Sequence, residues 1–301
     1  MVLNKIVLTG ATGMLGRHVR ETLQKVGVKV VALSREYSPN ENISGWDLAT
    51  WLPMTELDDL FDGAQAVVHV GAMLPKQTEL INEGLMFQAN VRACLNLGQW
   101  AISRNVPVVH ISGAIVYAEH DRHGLTEDAA LGWSGLGGFY GFSKLLAEDV
   151  FKRLTQQGLN LAILRPTSIY GFGLSTDKMI SRFLTMAREG RVIELNHPVE
   201  DRVDFVHAAD VALAILAILE TEDWDTFNIA SGHAVSIIEL AEACISIAGR
   251  GSVFLNKDSS TSRLAINRYA LNIDKAKSRL GWHPKFDIKQ GLRLMHHEIL
   301  C

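Results

Sequence analysis

Hydrophobic positions near the start of the chain predict a strand, a helix and a second strand in that order. Residues 6–8 form a short, continuous apolar run, as expected of a parallel strand that is buried on both faces. Apolar residues then recur at helical spacing from Leu15 to Val26, and Gly27 is placed to end this helix before a second apolar run begins at Val28. This order of elements is typical of an α/β protein with a parallel sheet.

Three glycines separate the first strand from the helix, at three-residue spacing. In such a turn, glycines let the backbone approach a pyrophosphate closely, and the helix N-terminus offers free N–H groups to the anion. We therefore predict a dinucleotide site at this turn. The cofactor contacts expected from this stretch are Gly10, Thr12, Gly13, Met14, Leu15 and Gly16.

The end of the second strand bears on which cofactor binds. Many dinucleotide folds place an acidic residue about 20 residues beyond the glycine turn, where it binds both ribose hydroxyls of NAD. Here Ser34 and Arg35 follow the strand, and a hydroxyl next to a guanidinium can hold the 2′-phosphate of NADP. We predict NADP as the preferred cofactor, with NAD as the alternative if Arg35 is solvated and neutralised by Glu36.

Tyr140 and Lys144 are the candidate catalytic pair. Residues four apart on a helix share a face, so the two side chains project together. Tyrosine is a poor base at neutral pH, but a neighbouring ammonium favours the phenolate and is expected to lower the pKa of Tyr140. The alternative is an ordinary pair on a helix surface.

Composition and charge narrow the class of protein. The chain has 301 residues, 48% of them apolar, which is enough for a large core in one compound domain or two joined ones. Its formal net charge of −4, without a basic block, argues against a nucleic-acid or membrane surface. The longest apolar run, 211–219, is far shorter than the roughly 20 residues that a membrane span needs.

Cysteine and histidine usage predicts neither disulfides nor a metal. Cys94, Cys244 and Cys301 are an odd number at wide spacing, which favours a reducing, cytoplasmic setting. His69 has no second ligand at metal spacing around it in the sequence, so we expect a core histidine.

Later segments repeat the motifs of one family in order. They are KIVLTGATGMLG at 5–16, YGFSK at 140–144, RPTSIYG at 165–171, DRVDFVHAADVALAI at 201–215, FNIASGHAVSIIELAE at 227–242 and IDKAKSRLGWHPKFDIKQGL at 273–292. Over nearly its whole length the chain thus resembles the extended short-chain dehydrogenase/reductases of the NAD-dependent epimerase/dehydratase group. The resemblance implies a Rossmann-type doubly wound parallel sheet in residues 1–171, with a segment near 201–230 returning to it, and a small α/β substrate lobe mainly in 172–301.

The resemblance also implies an activity and further site residues. It implies an NAD(P)-dependent epimerase, dehydratase or reductase that acts on a carbonyl or secondary alcohol of a sugar-like substrate, with a nucleotide-linked sugar as one option. Tyr140 would transfer the proton, and Lys144 would hold the nicotinamide ribose. The additional cofactor contacts implied are Asp47, Leu48, Val70, Gly71, Ala72, Asn90, Pro166 and Thr167. An alternative is an NADP-binding sensor or scaffold with weak or no catalysis.

Two departures from the family pattern concern catalysis and substrate binding. Gly113 stands where the family carries a Ser or Thr that hydrogen-bonds the reacting oxygen, and Ser112 can replace it only if the strand has already ended there. Val203 stands where nucleotide-sugar enzymes usually carry an arginine, with Arg202 displaced by one position. Arg202, Arg263 and Arg268 are the candidate substrate ligands, although solvated loop arginines are the alternative for the last two.

The predicted helices 87–101 and 140–153 carry more apolar surface than one core face requires. The corresponding helices in the family build a dimer interface. We therefore predict a homodimer through these two helices.

Overall fold

The computed structural model of the protein describes residues 3–75, 82–119, 123–196, 198–256 and 270–298. The strands of its main sheet are β1 (Lys5–Thr9), β2 (Lys29–Ser34), β3 (Ile43–Gly45), β4 (Ala66–His69), β5 (Val108–Ile111), β6 (Leu161–Pro166) and β10 (Thr226–Ile229). They pair in parallel throughout, in the order β10-β6-β5-β4-β1-β2-β3. The order reverses between β1 and β4, and a crevice forms at the carboxyl ends of the strands at such a point.

Helices cover both faces of this sheet, which is why β4, β5 and β6 are buried along their whole length. The helices are α1 (Met14–Lys25), α2 (Met54–Phe61), α3 (Glu83–Phe87), α4 (Ala93–Arg104), α5 (Gly138–Thr155), α6 (Met179–Arg188), α7 (Ala208–Thr221), α8 (Ile237–Ala248), α9 (Asp274–Leu280) and α10 (Ile288–Glu298). Apolar residues of α1, α7 and α9 form the core on one face, and those of α2, α4 and α5 form it on the other. The predicted doubly wound α/β fold is therefore confirmed.

The predicted helix 87–101 is part of a longer helical segment. A π-helical turn, Gln88–Arg92, joins α3 to α4. Cys94, Leu97, Trp100 and Ala101 all point into the core. Much of the broad apolar surface of this helix is thus explained by burial within the chain itself.

A smaller lobe contains two further sheets. Its strands are β7 (Ser168–Tyr170), β8 (Val192–Asn196), β9 (Arg202–His207), β11 (Ala234–Ser236) and β12 (Ser252–Asn256). Strands β11, β9 and β7 form a three-stranded sheet, while β12 pairs with β8. Helices α6, α8 and α10 supply the core of this lobe.

The chain passes between the two units several times. The segment near 201–230 was expected to return to the main sheet. Within it, α7 packs on α1 and β10 extends the main sheet, whereas β9 stays in the three-stranded sheet. Residues of α9, together with Trp282, join the same core as α1 and α7. Among the described residues, no helix is both long and apolar enough for a membrane span.

Candidate active site

A cleft of about 1270 Å³ opens at the carboxyl ends of the central strands. On one side it is bounded by the main sheet and α5, and on the other by Leu174, Lys178, Met179 and Phe205 of the smaller lobe. Of the residues predicted to contact the cofactor, those that line this cleft are Gly10, Thr12, Gly13, Met14, Leu15, Gly16, Ser34, Arg35, Asp47, Leu48, Val70, Gly71, Ala72, Tyr140, Lys144, Pro166 and Thr167.

The glycine turn fits a dinucleotide because its backbone is closely packed and its N–H groups are available. Gly10 has a left-handed φ of +68°, and a Cβ there would lie 2.7 Å from the Cα of Gly71. A Cβ on Gly16 would overlap the carbonyl oxygen of Gly10. Gly13 caps α1 with no side-chain hydrogen bond, so the first N–H groups of this helix remain available to an anion.

Ser34 and Arg35, the residues predicted to bind the 2′-phosphate of NADP, both line the cleft. The Thr12 hydroxyl donates to the Ser34 hydroxyl at 3.2 Å, which fixes the edge of the cleft. The Arg35 side chain is exposed and lines the cleft. Within the described residues it makes no hydrogen bond or ion pair, so the neutralising contact with Glu36 is not formed.

Lys144 is held in place inside the protein. Its ammonium is buried and donates to the Ile111 carbonyl oxygen at 2.6 Å. Burial lowers the pKa of Lys144 to about 8. An ammonium has three donors, and this contact uses one of them.

The pKa of Tyr140 differs from the expectation. Burial raises it to about 12, in place of the predicted lowering by Lys144. The physical reason is that removing water from the phenolate penalises its charged form. Tyr140 therefore keeps its proton at neutral pH in the protein without cofactor.

Asn90, expected to contact the cofactor, instead connects the elements behind the cleft. It lies buried in the π turn, where its amide accepts from Met73 N–H at 2.6 Å and donates to the Met73 carbonyl at 3.0 Å. It also donates to the Ser143 hydroxyl at 3.0 Å, and Ser143 is next to Lys144. Asn90 does not line the cleft. These contacts give it a positioning role.

The catalytic candidate Ser112 and its neighbour Gly113 follow the end of β5. Because β5 ends at Ile111, the alternation of a strand no longer constrains Ser112, which is buried and lines the cleft. Gly113 is extended, with φ 176°, a conformation open to any residue. A Cβ there would have no neighbour closer than 3.7 Å, so the missing side chain is not enforced by lack of space.

Of the three arginines predicted to bind substrate, the structure describes one, Arg202. Arg202 forms two hydrogen bonds with the Glu239 carboxylate, at 3.1 and 3.2 Å, and another with the Ala234 carbonyl. It does not line the cleft, because these contacts hold it against β11 and α8. Arg263 and Arg268 lie outside the described residues.

Sequence reasoning missed a buried ion pair between α5 and β6. Arg165 donates to both carboxylate oxygens of Glu148, at 3.0 and 2.7 Å, and both side chains are almost fully buried. Burial opposes ionisation of Glu148, but the hydrogen bonds and charge of Arg165 prevail and lower its pKa. No local spacing signals this contact, because Glu148 and Arg165 are 17 residues apart and lie on different elements.

The fold also brings two further side chains to His69. Ligand atoms of His69, Cys94 and His110 lie within 4.8 Å of one another, although the sequence spacing gave no sign of it. His69 Nδ1 hydrogen-bonds the Thr9 hydroxyl at 2.8 Å, and the Cys94 thiol donates to the Asn90 carbonyl at 3.1 Å. Burial lowers the pKa of His69 to about 3, which keeps it neutral. His69 is thus a buried, neutral histidine that is hydrogen-bonded to Thr9.

Comparison with known proteins identifies the family. Residues 6–230 match the family described as NAD dependent epimerase/dehydratase. A dTDP-4-dehydro-6-deoxy-D-allose reductase of a Streptomyces species is 28% identical over 81% of both chains. UDP-glucuronic acid decarboxylase 6 of Arabidopsis thaliana is 24% identical over 98% of this chain and 88% of its own.

A solved structure of MoeE5 in complex with UDP-glucuronic acid and NAD has the same fold. It superposes with a TM-score of 0.84 at 24% identity and covers 99% of both chains. The family match over residues 6–230, more than half of the chain, shows that the chain belongs to the NAD-dependent epimerase/dehydratase family.

Proposed function

We propose that the protein uses NAD(P) to interconvert a carbonyl and a secondary alcohol on a sugar-like, nucleotide-linked substrate, by reduction or epimerisation. The observation that carries this proposal is that Tyr140 and Lys144 open onto the same cleft as the glycine turn. The names of two relatives, a dTDP-sugar reductase and a UDP-glucuronic acid decarboxylase, support the substrate class.

Each side chain has a defined part in the reaction. A bound nicotinamide cofactor supplies or accepts the hydride. The protonated phenol of Tyr140 is suited to donate its proton to a carbonyl oxygen, because its pKa lies near 12. Lys144, anchored on the Ile111 carbonyl, has two donors left for the cofactor ribose.

The polar groups of the cleft favour this chemistry over loss of water. Among the described residues, the carboxylates that line the cleft are Glu36 and Asp47, which follow β2 and β3 at one edge of the main sheet. Elimination of water needs a base for the carbon-bound proton and an acid for the departing hydroxyl. Reduction or epimerisation exchanges a hydride with the cofactor and a proton with Tyr140, so Tyr140 is the one acid or base that it needs.

Replacement of the tyrosine phenol tests the proposed activity. Tyr140→Phe removes the proton donor and keeps the ring, so we expect turnover to fall by at least about 100-fold, with cofactor binding retained. Oxidation of reduced cofactor should be measured against a panel of nucleotide-linked keto sugars. Tyr37→Phe, an exposed tyrosine at the edge of the same cleft, is the matched control. Equal turnover by Tyr140→Phe and the unmodified protein contradicts the proposal.

We also propose that NADP is preferred over NAD and that the protein is a homodimer. The exposed guanidinium of Arg35 at the cleft edge supports the first proposal. The outer faces of α4 and α5 support the second, because Leu95, Ile102 and Val150 are only partly buried there. The sensor or scaffold alternative has no support from the relatives.

A further inference from the structure

Two histidines and a cysteine meet in the core between the main sheet and the helices on one of its faces. His69 ends β4 and His110 lies on β5, and the two residues pair directly across these neighbouring strands. Cys94, in the first turn of α4, places its sulfur 3.7 Å from His69 Nε2. Ligand atoms of all three lie within 4.8 Å of one another, and each residue is at most 1% exposed. We call these three residues the His–Cys cluster.

The His–Cys cluster contains a polar ring that the surrounding core does not satisfy. His69 Nδ1 is hydrogen-bonded to the Thr9 hydroxyl, which leaves its Nε2 on the side of Cys94. Neither ring nitrogen of His110 has a hydrogen-bond partner in the part of the chain that the structure describes. Buried polar groups are rarely left in this state, and a bound ion is one of the few ways to satisfy them. The ring of His110 therefore points to an ion held within the cluster.

The spacing of the donor atoms suits a metal ion shared by the three side chains. Bonds of about 2.3 Å to a thiolate and about 2.0 Å to an imidazole separate sulfur from nitrogen by about 3.5–3.7 Å at a common metal. The 3.7 Å between Cys94 Sγ and His69 Nε2 lies in this range. A small movement of the His110 ring completes the set, since its ligand atom is within 4.8 Å of the other two. Cys94, whose thiol donates to the Asn90 carbonyl, gives up its proton when the metal binds.

The charge of Lys144 determines which kind of metal ion is compatible with the cluster. Its buried ammonium acts electrostatically on His69, Cys94 and His110. A monovalent ion replaces the proton of the Cys94 thiol one for one, so it adds no net charge beside this ammonium. A divalent ion would add a second buried positive charge, which is costly in a dry interior. Among ions that bind thiolate and imidazole together, Cu(I) meets this condition.

We propose that His69, Cys94 and His110 form a binding site for a single Cu(I) ion. All three residues lie outside the lining of the cofactor cleft, so the site is distinct from the one that binds cofactor and substrate. The sequence predicted no metal, because the ligands come from β4, α4 and β5 and only the fold brings them together.

Titration with Cu(I) under anaerobic, reducing conditions tests this proposal. The whole chain, without cofactor, competes for Cu(I) with a chromophoric Cu(I) chelator. We expect one bound ion per chain and a higher melting temperature in its presence, because the ion binds the folded state. X-ray absorption at the copper edge is expected to show one sulfur and two nitrogen neighbours. The control is the double variant Cys244→Ser/Cys301→Ser, which keeps Cys94 as its only cysteine and is expected to bind Cu(I) as tightly as the unmodified protein.

Two single variants remove ligands in different ways. Cys94→Ser replaces the soft sulfur with oxygen, and we expect Cu(I) binding to weaken by at least about 100-fold, because even groups that only orient a ligand contribute about 10- to 100-fold. His110→Phe keeps a ring in place and removes the two unpartnered nitrogens. We therefore expect it to be at least as stable as the unmodified protein without metal, and to weaken Cu(I) binding as well.

Three results would overturn the proposal. The first is that the unmodified protein does not bind Cu(I) in this competition. The second is that Cys94→Ser or a folded His110→Phe variant binds Cu(I) as tightly as the unmodified protein, or that the double cysteine variant loses binding. The third is that Zn²⁺ raises the melting temperature as much as Cu(I) does, which contradicts the argument for a monovalent ion.

Discussion

Arg35 faces the cleft from the end of β2 without a partner among the described residues. If it holds a 2′-phosphate, Arg35→Ala removes a charge-assisted contact, and NADP binding is expected to weaken by about ten- to a hundredfold while NAD binding hardly changes. Calorimetric titration of both cofactors measures this, with the exposed Arg182→Ala as control. Equal or tighter binding of NAD by the unmodified protein would show the NADP preference to be wrong.

The buried charge of Lys144 lowers the free energy of unfolding of the protein. Its pKa is lowered from 10.5 to about 8, so between these values the unfolded chain binds one more proton than the folded protein. The free energy of unfolding therefore rises as the pH rises from about 8 to 10.5. Below pH 8 the folded protein carries the full cost of the buried charge.

Lys144→Met keeps the length of the side chain and removes its charge. We expect it to raise the free energy of unfolding at pH 7 by about 1–2 kcal/mol, after allowing for the lost hydrogen bond to Ile111, and to abolish turnover. Chemical denaturation at pH 7 and pH 9.5 should show this difference shrinking at the higher pH. A less stable Lys144→Met variant at pH 7 would refute the argument.

At the scale of elements, the ion pair between Glu148 and Arg165 joins α5 to β6. Arg165 also donates to the Tyr117 hydroxyl at 3.1 Å and to the Glu127 carbonyl at 2.9 Å, so one guanidinium connects four segments. Glu148→Gln leaves this buried charge without its carboxylate, which costs about 3–5 kcal/mol of unfolding free energy. Thermal denaturation should show a large loss of stability for Glu148→Gln, and little for Asp149→Asn, the exposed neighbour on α5. Similar losses for both variants would argue against the ion pair as the cause.

At the scale of the whole molecule, the outer faces of α4 and α5 are expected to pair with those of a second copy. Light scattering at tens of micromolar should give twice the chain mass of 33.2 kDa. Leu146→Lys places a charge on the outer face of α5 and is expected to yield monomers with little change in melting temperature. The control is Glu242→Lys, at an exposed position on α8. A substitution of Lys152 on α5 is avoided because Lys152 contacts Glu148. A monomeric unmodified protein would contradict the prediction.

The sequence alone determined the elements that depend on local pattern. The apolar run 6–8, the glycine turn and the helix after it were predicted because their spacing is set by backbone geometry within a few residues. The same holds for Tyr140 and Lys144, since four-residue spacing on one helix places both side chains on one face. The ordered motifs extended this to the fold and the family.

The tertiary structure decided every property that depends on neighbours distant in the chain. Burial raises the pKa of Tyr140, because packing removes water from the phenolate, where the sequence predicted a lowering by Lys144. Asn90 and Arg202 were expected at the ligands, but Met73 and Glu239 engage them because the fold brings these partners within hydrogen-bond distance. Ile115 likewise approaches Gly137 and Gly141 more than 20 residues away, and no local pattern specifies that contact.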